Sequence, residues 1–232
     1  MEYRCVVSSE AGLIQQVVLC VSKGYLWYVA GHIPEGRDPA RTDARIIDKY
    51  SIGISKWAKA RRKRGGGANL QYFRFDRFFV IMATKGEHWF YRDEPAVRDI
   101  RRVPLKFAGH SISQRMSTVT GKYHASVRIA PEEYRCVKAY LLEHAVHWEE
   151  KRVGVELNQL PFEPYAPVRR QLLNLLRAVN RARKRAGRSQ LNHDVLHLKR
   201  RVAKVFEAMQ GMAEPGGGRA SSALMRTKCQ CR

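Results

Sequence analysis

The feature that most constrains the fold of this chain is a stretch where a helical apolar pattern coincides with strong positive charge. Residues 166–205 hold twelve Lys and Arg against one acid, Asp194, and so carry a net +11 of the chain's +22. Apolar side chains recur there at the spacing of one helix face, at Val168, Leu172, Leu175, Leu176 and Val179. This pattern predicts a helix that begins near Pro167 and ends near Gly187.

The opposite side of this predicted helix is basic, with one stripe formed by Arg170, Arg177, Arg181, Lys184 and Arg188. A second helix is predicted to follow, because the same period continues through Leu191, Val195, Leu198, Val202 and Phe206. Its outer side carries His193, His197, Arg200 and Lys204. Cations without intervening acids repel one another, and a phosphate backbone is the commonest large anion that offsets this repulsion.

The rest of the chain alternates strand and helix signals. Strands are predicted over residues 25–31, 70–76, 77–83, 103–115 and 123–129, and a shorter one over residues 88–91. Helices are predicted after the caps Ser9 and Asp38, over residues 55–64, and from Pro131 onward. These elements indicate an α+β fold with a mostly antiparallel sheet of about five strands and helices on one face. Such a sheet resembles the ferredoxin-like, or split βαβ, arrangement.

The domain organisation is predicted from changes in composition along the chain. Residues 1–157 are expected to form the α+β sheet domain, and residues 158–210 a basic helical arm, a helical hairpin, packed on it. The boundary is placed where Pro161, Pro164 and Pro167 follow one another closely. Residues 211–232 contain glycines and small polar residues and are expected to be a disordered tail.

A second basic segment lies over residues 56–64 and contains six cations and no acid, namely Lys56, Lys59, Arg61, Arg62, Lys63 and Arg64. With the stripe and with Arg200 and Lys204, these are the predicted nucleic-acid-binding residues. Such phosphate contacts supply affinity for DNA or RNA without reading sequence. If the ligand is single-stranded, the candidates for base stacking are Trp57, Tyr25, Tyr72 and Phe73.

The composition agrees with a folded, nucleic-acid-binding protein. A 44% hydrophobic content supports a core, and a sequence pI near 10.3 indicates an anionic partner. No apolar run approaches the roughly 20 residues of a membrane span, and we recognise no secretory signal. We therefore expect a cytoplasmic protein with no membrane partner and no small-molecule cofactor. A structural RNA-associated protein, for example one bound to ribosomal RNA, fits the same features.

A strand-nicking or strand-transfer enzyme is the alternative of a different class. A sheet followed by a helix with tyrosines resembles in outline the tyrosine transposases and rolling-circle initiators of mobile elements, although their His, apolar residue, His triplet is absent. One hairpin register brings His110 and His124 to the same face as candidate metal ligands. Tyr134 and Tyr140 on the following helix are then the nucleophile candidates. A divalent metal is expected as cofactor only if this alternative holds.

Overall fold

A computed structural model describes residues 3–118, 120–200 and 202–206 of the protein. Within these ranges the chain is α+β, as predicted, with seven α-helices and two antiparallel sheets. The helices are α1 (Glu10–Ser22), α2 (Pro39–Lys49), α3 (Lys56–Arg64), α4 (Phe90–Asp93), α5 (Pro131–Ala145), α6 (Glu150–Asn158) and α7 (Ala166–Arg185). The strands are β1 (Tyr25–His32), β2 (Leu70–Phe75), β3 (Phe78–Thr84), β4 (Arg98–Asp99), β5 (Leu105–Phe107), β6 (His110–Met116) and β7 (Tyr123–Ile129).

The chain divides into two compact units, whose limits differ from the predicted domain boundary. The first comprises the described parts of Met1–Leu105, Ile112–Ser126 and Ala203–Met209. The second comprises the described parts of Lys106–Ser111 and Val127–Val202, and it holds α5, α6 and α7. The boundary predicted between residues 157 and 158 therefore falls inside the second unit. The tail predicted over residues 211–232 lies outside the described residues.

The first unit is built on a four-stranded antiparallel sheet with the order β2-β3-β1-β4. β3 pairs with both β1 and β2, so that Ile81 lies opposite Val29 on one side and Tyr72 on the other. β1 and β2 are thus parallel to each other, with β3 between them and with α2 and α3 in the connection. This is the expected split βαβ connection of the ferredoxin-like arrangement, completed by α4 and the two-residue β4.

Both faces of this sheet are covered, whereas the sequence predicted helices on one face. Residues 80–83 of β3 are all buried, although their side chains alternate between the two faces. The helix α1 contacts β1 and β2, while Tyr50, Ile52 and Phe90 pack with Ile81 in a shared core cluster. The uninterrupted apolar run of β3 is the pattern of a strand that is buried on both sides.

Short polar residues set the starts of α1 and α2, as predicted. The Ser9 hydroxyl accepts a hydrogen bond from the Gly12 N–H at the start of α1, and the Asp38 carboxylate accepts one from the Ala40 N–H at the start of α2. The strand predicted over residues 88–91 is wrong, because that segment turns into α4. There the His88 ring accepts a hydrogen bond from the Phe90 N–H at 3.1 Å, a contact within a turn.

The predicted hairpin over residues 103–129 is present, but its first strand is interrupted. Ala108 and Gly109 have positive φ angles of 46° and 73° and separate β5 from β6. Glycine adopts this left-handed conformation without the steric cost that a Cβ brings. The three strands form a sheet of their own with the order β5-β6-β7. In the described ranges the chain therefore has sheets of four and three strands instead of a single sheet of about five.

The first helix of the predicted basic hairpin is confirmed, and the second is wrong. Pro167 lies at the beginning of α7, and Gly187, with φ of 67°, follows its end. After it, the described residues up to 206 contain only a 3-10 turn at His193–Val195. The helix α6, for which we recognised no sequence signal, lies before α7 in the second unit.

The described residues between 191 and 206 do not form an α-helix, and partners outside the segment bind several of their backbone groups. The Asn180 side chain accepts a hydrogen bond from the Leu191 N–H and donates one to the Leu191 carbonyl, at 2.9 and 2.8 Å. The Ser8 N–H donates to the Val205 carbonyl at 3.0 Å, and the Gln15 side chain accepts from the Ala203 N–H at 3.3 Å. A helix over this segment would use the Leu191 carbonyl and the Ala203 N–H for its own hydrogen bonds.

No helix in the described ranges combines the length and the apolar character that a membrane crossing requires.

Candidate nucleic-acid interface

The apolar face of α7 is buried, as its spacing predicts. All five predicted apolar positions are at most 5% exposed, and the helix packs against α5. Gln171 also fixes the helix, because its side chain accepts a hydrogen bond from the Ile129 N–H at 2.8 Å and donates one to the Ile129 carbonyl at 3.2 Å. These contacts set the rotation of α7 about its axis and leave its basic side exposed.

We call Arg170, Arg177, Arg181, Lys184 and Arg188 the α7 stripe, and all five side chains are exposed. The helix itself contains seven cations and no acid. Across the part of the chain that the structure describes, no member of the stripe takes part in an ion pair. The ion pairs seen there use Asp43, Asp93, Asp99 and Glu132 with other cations. The stripe therefore lacks a counter-anion within the described protein.

Arg183 lies in the same helix but on its apolar face, and it is only 2% exposed. Its guanidinium donates hydrogen bonds to the carbonyls of Ala145 and Trp148 at 2.8 and 2.9 Å, and to that of Ser189 at 2.6 Å. Carbonyls at and beyond a helix end have no helical N–H to bind, so Arg183 satisfies two carbonyls at the end of α5 and one beyond the end of α7. Its spacing of four residues after Val179 is the signal in the sequence for this structural role.

The helix α3 contacts the first unit through one side. The Asn69 side chain donates a hydrogen bond to the Lys59 carbonyl at 3.0 Å, and the Lys59 ammonium lies 5.6 Å from the centre of the Tyr3 ring. The Arg62 guanidinium donates to the Ser51 carbonyl at 3.3 Å. Burial lowers the pKa of Lys59, and the nearby Arg62 contributes in the same direction. Lys59 and Arg62 therefore belong to the docked side of α3, although both were predicted to bind nucleic acid.

The end of α3 is held by a close approach of two backbone segments. Gly86 has φ of 140°, and a Cβ at this position would lie 2.6 Å from backbone atoms of residues 66–68. The Glu87 N–H donates a hydrogen bond to the Gly66 carbonyl, and the Ala68 N–H donates to the Glu87 carbonyl, both at 3.0 Å. Glycine at 86 allows this contact, which fixes the chain just after α3.

The other side of α3 is exposed and combines cations with an aromatic residue. Trp57, Arg61 and Arg64 lie at the i, i+4 and i+7 spacing of one helix side, which we call the α3 face. Lys56 and Lys63 are exposed beside it. Trp57 is 78% exposed. Four of the six predicted cations of this segment are thus open to a ligand.

Three of the four residues predicted as candidates for base stacking are buried in the first unit. Tyr72, Phe73 and Tyr25 are at most 9% exposed. The Tyr72 hydroxyl donates a hydrogen bond to the Asp43 carboxylate at 2.5 Å, and the Tyr3 hydroxyl contacts the Tyr72 backbone. Because β2 is covered on both faces, its aromatic residues build the core. Trp57 alone of the four is placed to meet a base.

Arg200 and Lys204 do not share a helix face, because the described residues after α7 form no second α-helix. The Arg200 guanidinium lies 4.4 Å from the centre of the Tyr165 ring in the second unit. Lys204 is exposed and belongs to the first unit, where its carbonyl accepts a hydrogen bond from the Ser8 hydroxyl at 2.8 Å. The predicted second basic surface is therefore reduced to the α7 stripe.

His110 is a core residue whose two ring nitrogens both have protein partners. Its Nδ1 lies 2.8 Å from the Ala108 carbonyl, and its Nε2 accepts a hydrogen bond from the Glu163 N–H at 3.0 Å. Burial lowers the pKa of His110 from 6.5 to about 4. His124 is exposed and belongs to the other unit. Among the described residues, no group of three or more His, Cys, Asp or Glu is placed to hold a metal ion.

The two candidate nucleophiles on α5 are packed tyrosines. Tyr134 is partly buried, and this burial raises its pKa, which opposes the activation that a nucleophile needs. Tyr140 packs edge-on against His144 and Trp148, with ring centres 4.8 and 6.0 Å apart.

Sequence reasoning missed a further exposed basic and aromatic group at the β6–β7 turn. Met116 and Tyr123 are 58% and 65% exposed, and the neighbouring Arg115 and Lys122 are exposed as well. The signal for this group is the pair of cations that flank the turn in the sequence. Lys122 and Arg115 therefore join the list of cations available to a polyanion.

Comparison of the chain with protein-family models and with curated protein sequences finds no match.

Proposed function

We propose that this protein binds nucleic acid through the phosphate backbone. The α7 stripe is the principal docking surface, and the exposed cations of α3 form a second. The cytoplasmic location expected from the sequence is part of this proposal. The contacts are of the kind that neutralise phosphates and do not discriminate bases.

The observation that supports this proposal best is the α7 stripe itself. Four exposed cations lie on one side of α7, and the fifth, Arg188, is exposed just beyond the end of the helix. No described acid pairs with them, and the buried opposite face prevents the helix from rotating. The helix dipole favours cations only near the carboxyl end, which accounts for Lys184 but not for Arg170 near the amino end. The repulsion along the remaining stripe is offset when an external polyanion binds.

The length of the stripe also suits a nucleic-acid strand. From Arg170 to Lys184 the helix rises about 21 Å at about 1.5 Å per residue. One strand of duplex DNA rises about 3.4 Å per nucleotide, so the stripe matches roughly six phosphates. The raised pKa of Tyr134 and the protein partners on both ring nitrogens of His110 disfavour strand-nicking chemistry, and the proposal is therefore a binding protein.

Titration of labelled oligonucleotides in a series of salt concentrations tests the proposal. Fluorescence anisotropy with single-stranded and duplex DNA and RNA should show binding at about 50 mM salt, and log Kd should rise linearly with log salt. Sequencing of nucleic acid that co-purifies with the protein then separates a DNA partner from an RNA partner. Absence of binding to all four ligands at about 50 mM salt would contradict the proposal.

A further inference from the structure

We propose that Trp57 stacks on an unpaired base, so that the α3 face binds single-stranded nucleic acid in preference to duplex. This inference rests on the proposed function and adds to it the form of the ligand. It assigns Trp57 the contact to the base, and Arg61 and Arg64 the contacts to the flanking phosphates.

Among the described residues, Trp57 is the tryptophan that has no ring or cation packed against it. The chain has four tryptophans. Trp27 packs against Tyr91 and the Arg101 guanidinium, and Trp148 stacks on His144 with ring centres 4.0 Å apart. Trp89 stacks on His88 and donates a hydrogen bond from its indole to the Lys49 carbonyl. In the described structure no ring and no cation lies against Trp57, which is 78% exposed.

This exposure is not explained by the packing of α3. The helix contacts the first unit through Lys59 and Arg62, which lie on the side opposite Trp57. An indole that is left in water forfeits the large apolar burial that makes tryptophan favourable in a fold. A ligand that covers the ring recovers this burial.

The residues around the Trp57 ring indicate which class of ligand it contacts. Arg61 lies one helical turn beyond Trp57 and Arg64 lies two turns beyond it, on the same side. Ala60, three residues after Trp57, is exposed and has only a small side chain. An aromatic ring among cations is the arrangement by which proteins hold single strands, since every base has a face to stack and every nucleotide a phosphate. In a duplex the base faces are already stacked on one another and are closed to the ring.

An anionic membrane surface is the other ligand that a tryptophan and cations attract. A helix that lies in the lipid interface needs an apolar face to insert. Apart from Trp57, the exposed side of α3 offers only Ala60 and cations. The composition of this side therefore favours nucleic acid over lipid.

Three ligands of equal length separate stacking from charge. Wild-type protein and the variants Trp57→Phe, Trp57→Leu and Trp57→Ala are titrated with a labelled single-stranded oligonucleotide, with its duplex, and with an abasic strand that has the same phosphates and no bases. We expect Trp57→Ala to weaken single-strand binding by about 5- to 100-fold and to leave abasic binding unchanged. Trp57→Phe should retain most of the affinity, while Trp57→Leu, which is apolar but cannot stack, should resemble Trp57→Ala.

The outcomes distinguish this inference from the proposed function. If wild-type protein binds the abasic strand, the duplex and the single strand equally, and if Trp57→Ala changes nothing, the stacking role is wrong while phosphate binding stands. If Trp57→Leu binds the single strand as tightly as wild type, apolar contact explains the site and stacking is again wrong. If no oligonucleotide binds, the proposed function fails. Binding to vesicles of phosphatidylserine and phosphatidylcholine, with loss of binding in Trp57→Ala and none to the single strand, would assign α3 to lipid.

Discussion

At the scale of single residues, Arg181 and Arg183 show that two cations close together in one helix have different structural roles. Arg181 is exposed in the α7 stripe, whereas Arg183 lies on the buried face and holds three backbone carbonyls. A count of charges along the helix does not distinguish them. Their angular positions do, because Arg183 continues the line of Leu176 and Val179.

The first prediction uses this pair as its own control. Replacement of Arg183 with Gln should lower the free energy of unfolding by on the order of 2–4 kcal/mol, because buried carbonyls lose their donors. Arg181→Gln should change it by less than about 0.5 kcal/mol, as expected for an exposed site. Urea unfolding followed by circular dichroism measures both. Equal stability of the two variants would show that the Arg183 contacts contribute little.

The second prediction concerns the pH dependence that His110 creates. Burial lowers the pKa of His110 from 6.5 to about 4 in the folded chain, so between these values the unfolded chain binds more protons. Stability is therefore intact above about pH 6.5 and is lost as the pH falls toward about 4, by up to roughly 3 kcal/mol. His110→Gln keeps an acceptor but does not titrate, and should lose less stability than wild type on acidification.

Urea unfolding of wild type and His110→Gln at about pH 7.5 and about pH 4.5 measures this difference. The same measurement on His124→Gln, at an exposed position, provides the control and should follow wild type. Identical losses of stability on acidification in wild type and His110→Gln would contradict the assignment of this effect to His110.

At the scale of elements, α7 shows what local sequence determines and the segment after it shows what local sequence does not. The limits of α7 and its buried face follow from Pro167, Gly187 and an apolar period, all of which lie within the helix or beside it. The segment after it has an equally regular apolar period, and yet its described residues form no second α-helix. Its backbone binds Asn180, Ser8 and Gln15 instead. Ser8 and Gln15 are almost 200 residues away, so no local pattern reports their contacts.

In the candidate site too, local sequence predicts some features and does not predict others. The exposure of the α7 stripe was predictable, because the row of apolar residues on one face of the helix indicates that the opposite face is exposed. The side of α3 that packs against the protein was not predictable, because this helix has no row of apolar residues. Its orientation is set by contacts with Asn69, Tyr3 and Ser51. Lys59 and Arg62 were therefore predicted as ligand contacts, although they face the protein. For the same reason, the sequence of α3 does not indicate that Trp57 is exposed.

The third prediction tests the orientation of α7. Leu172→Ala should lower the free energy of unfolding by about 2–5 kcal/mol, because Leu172 is 3% exposed in the core. The double variant Arg177→Gln/Arg181→Gln should be as stable as wild type or slightly more stable, since like charges four residues apart repel by a few tenths of a kcal/mol. Thermal unfolding of both proteins provides the comparison. Greater destabilisation by the double variant would mean that the basic side is the packed one.

At the scale of the whole molecule, the central claim is that the position of the cations matters and not only their number. The net charge of +22 attracts any polyanion weakly. The α7 stripe and the α3 face lie in different units, and each is proposed to neutralise its own set of phosphates. Removal of contacts from one surface should therefore reduce the number of released counterions by the number of residues removed.

The most direct test is the salt dependence of binding for two double variants that remove the same charge. One is Arg177→Gln/Arg181→Gln in the α7 stripe, and the other is Arg41→Gln/Arg45→Gln at exposed positions of α2. For the stripe variant we predict a slope of log Kd against log salt that is lower by about 1.8 on duplex DNA, or about 1.4 on a single strand. For the α2 variant we predict a slope within error of wild type. Equal slopes for the two variants would contradict the claim that the α7 stripe is the docking surface.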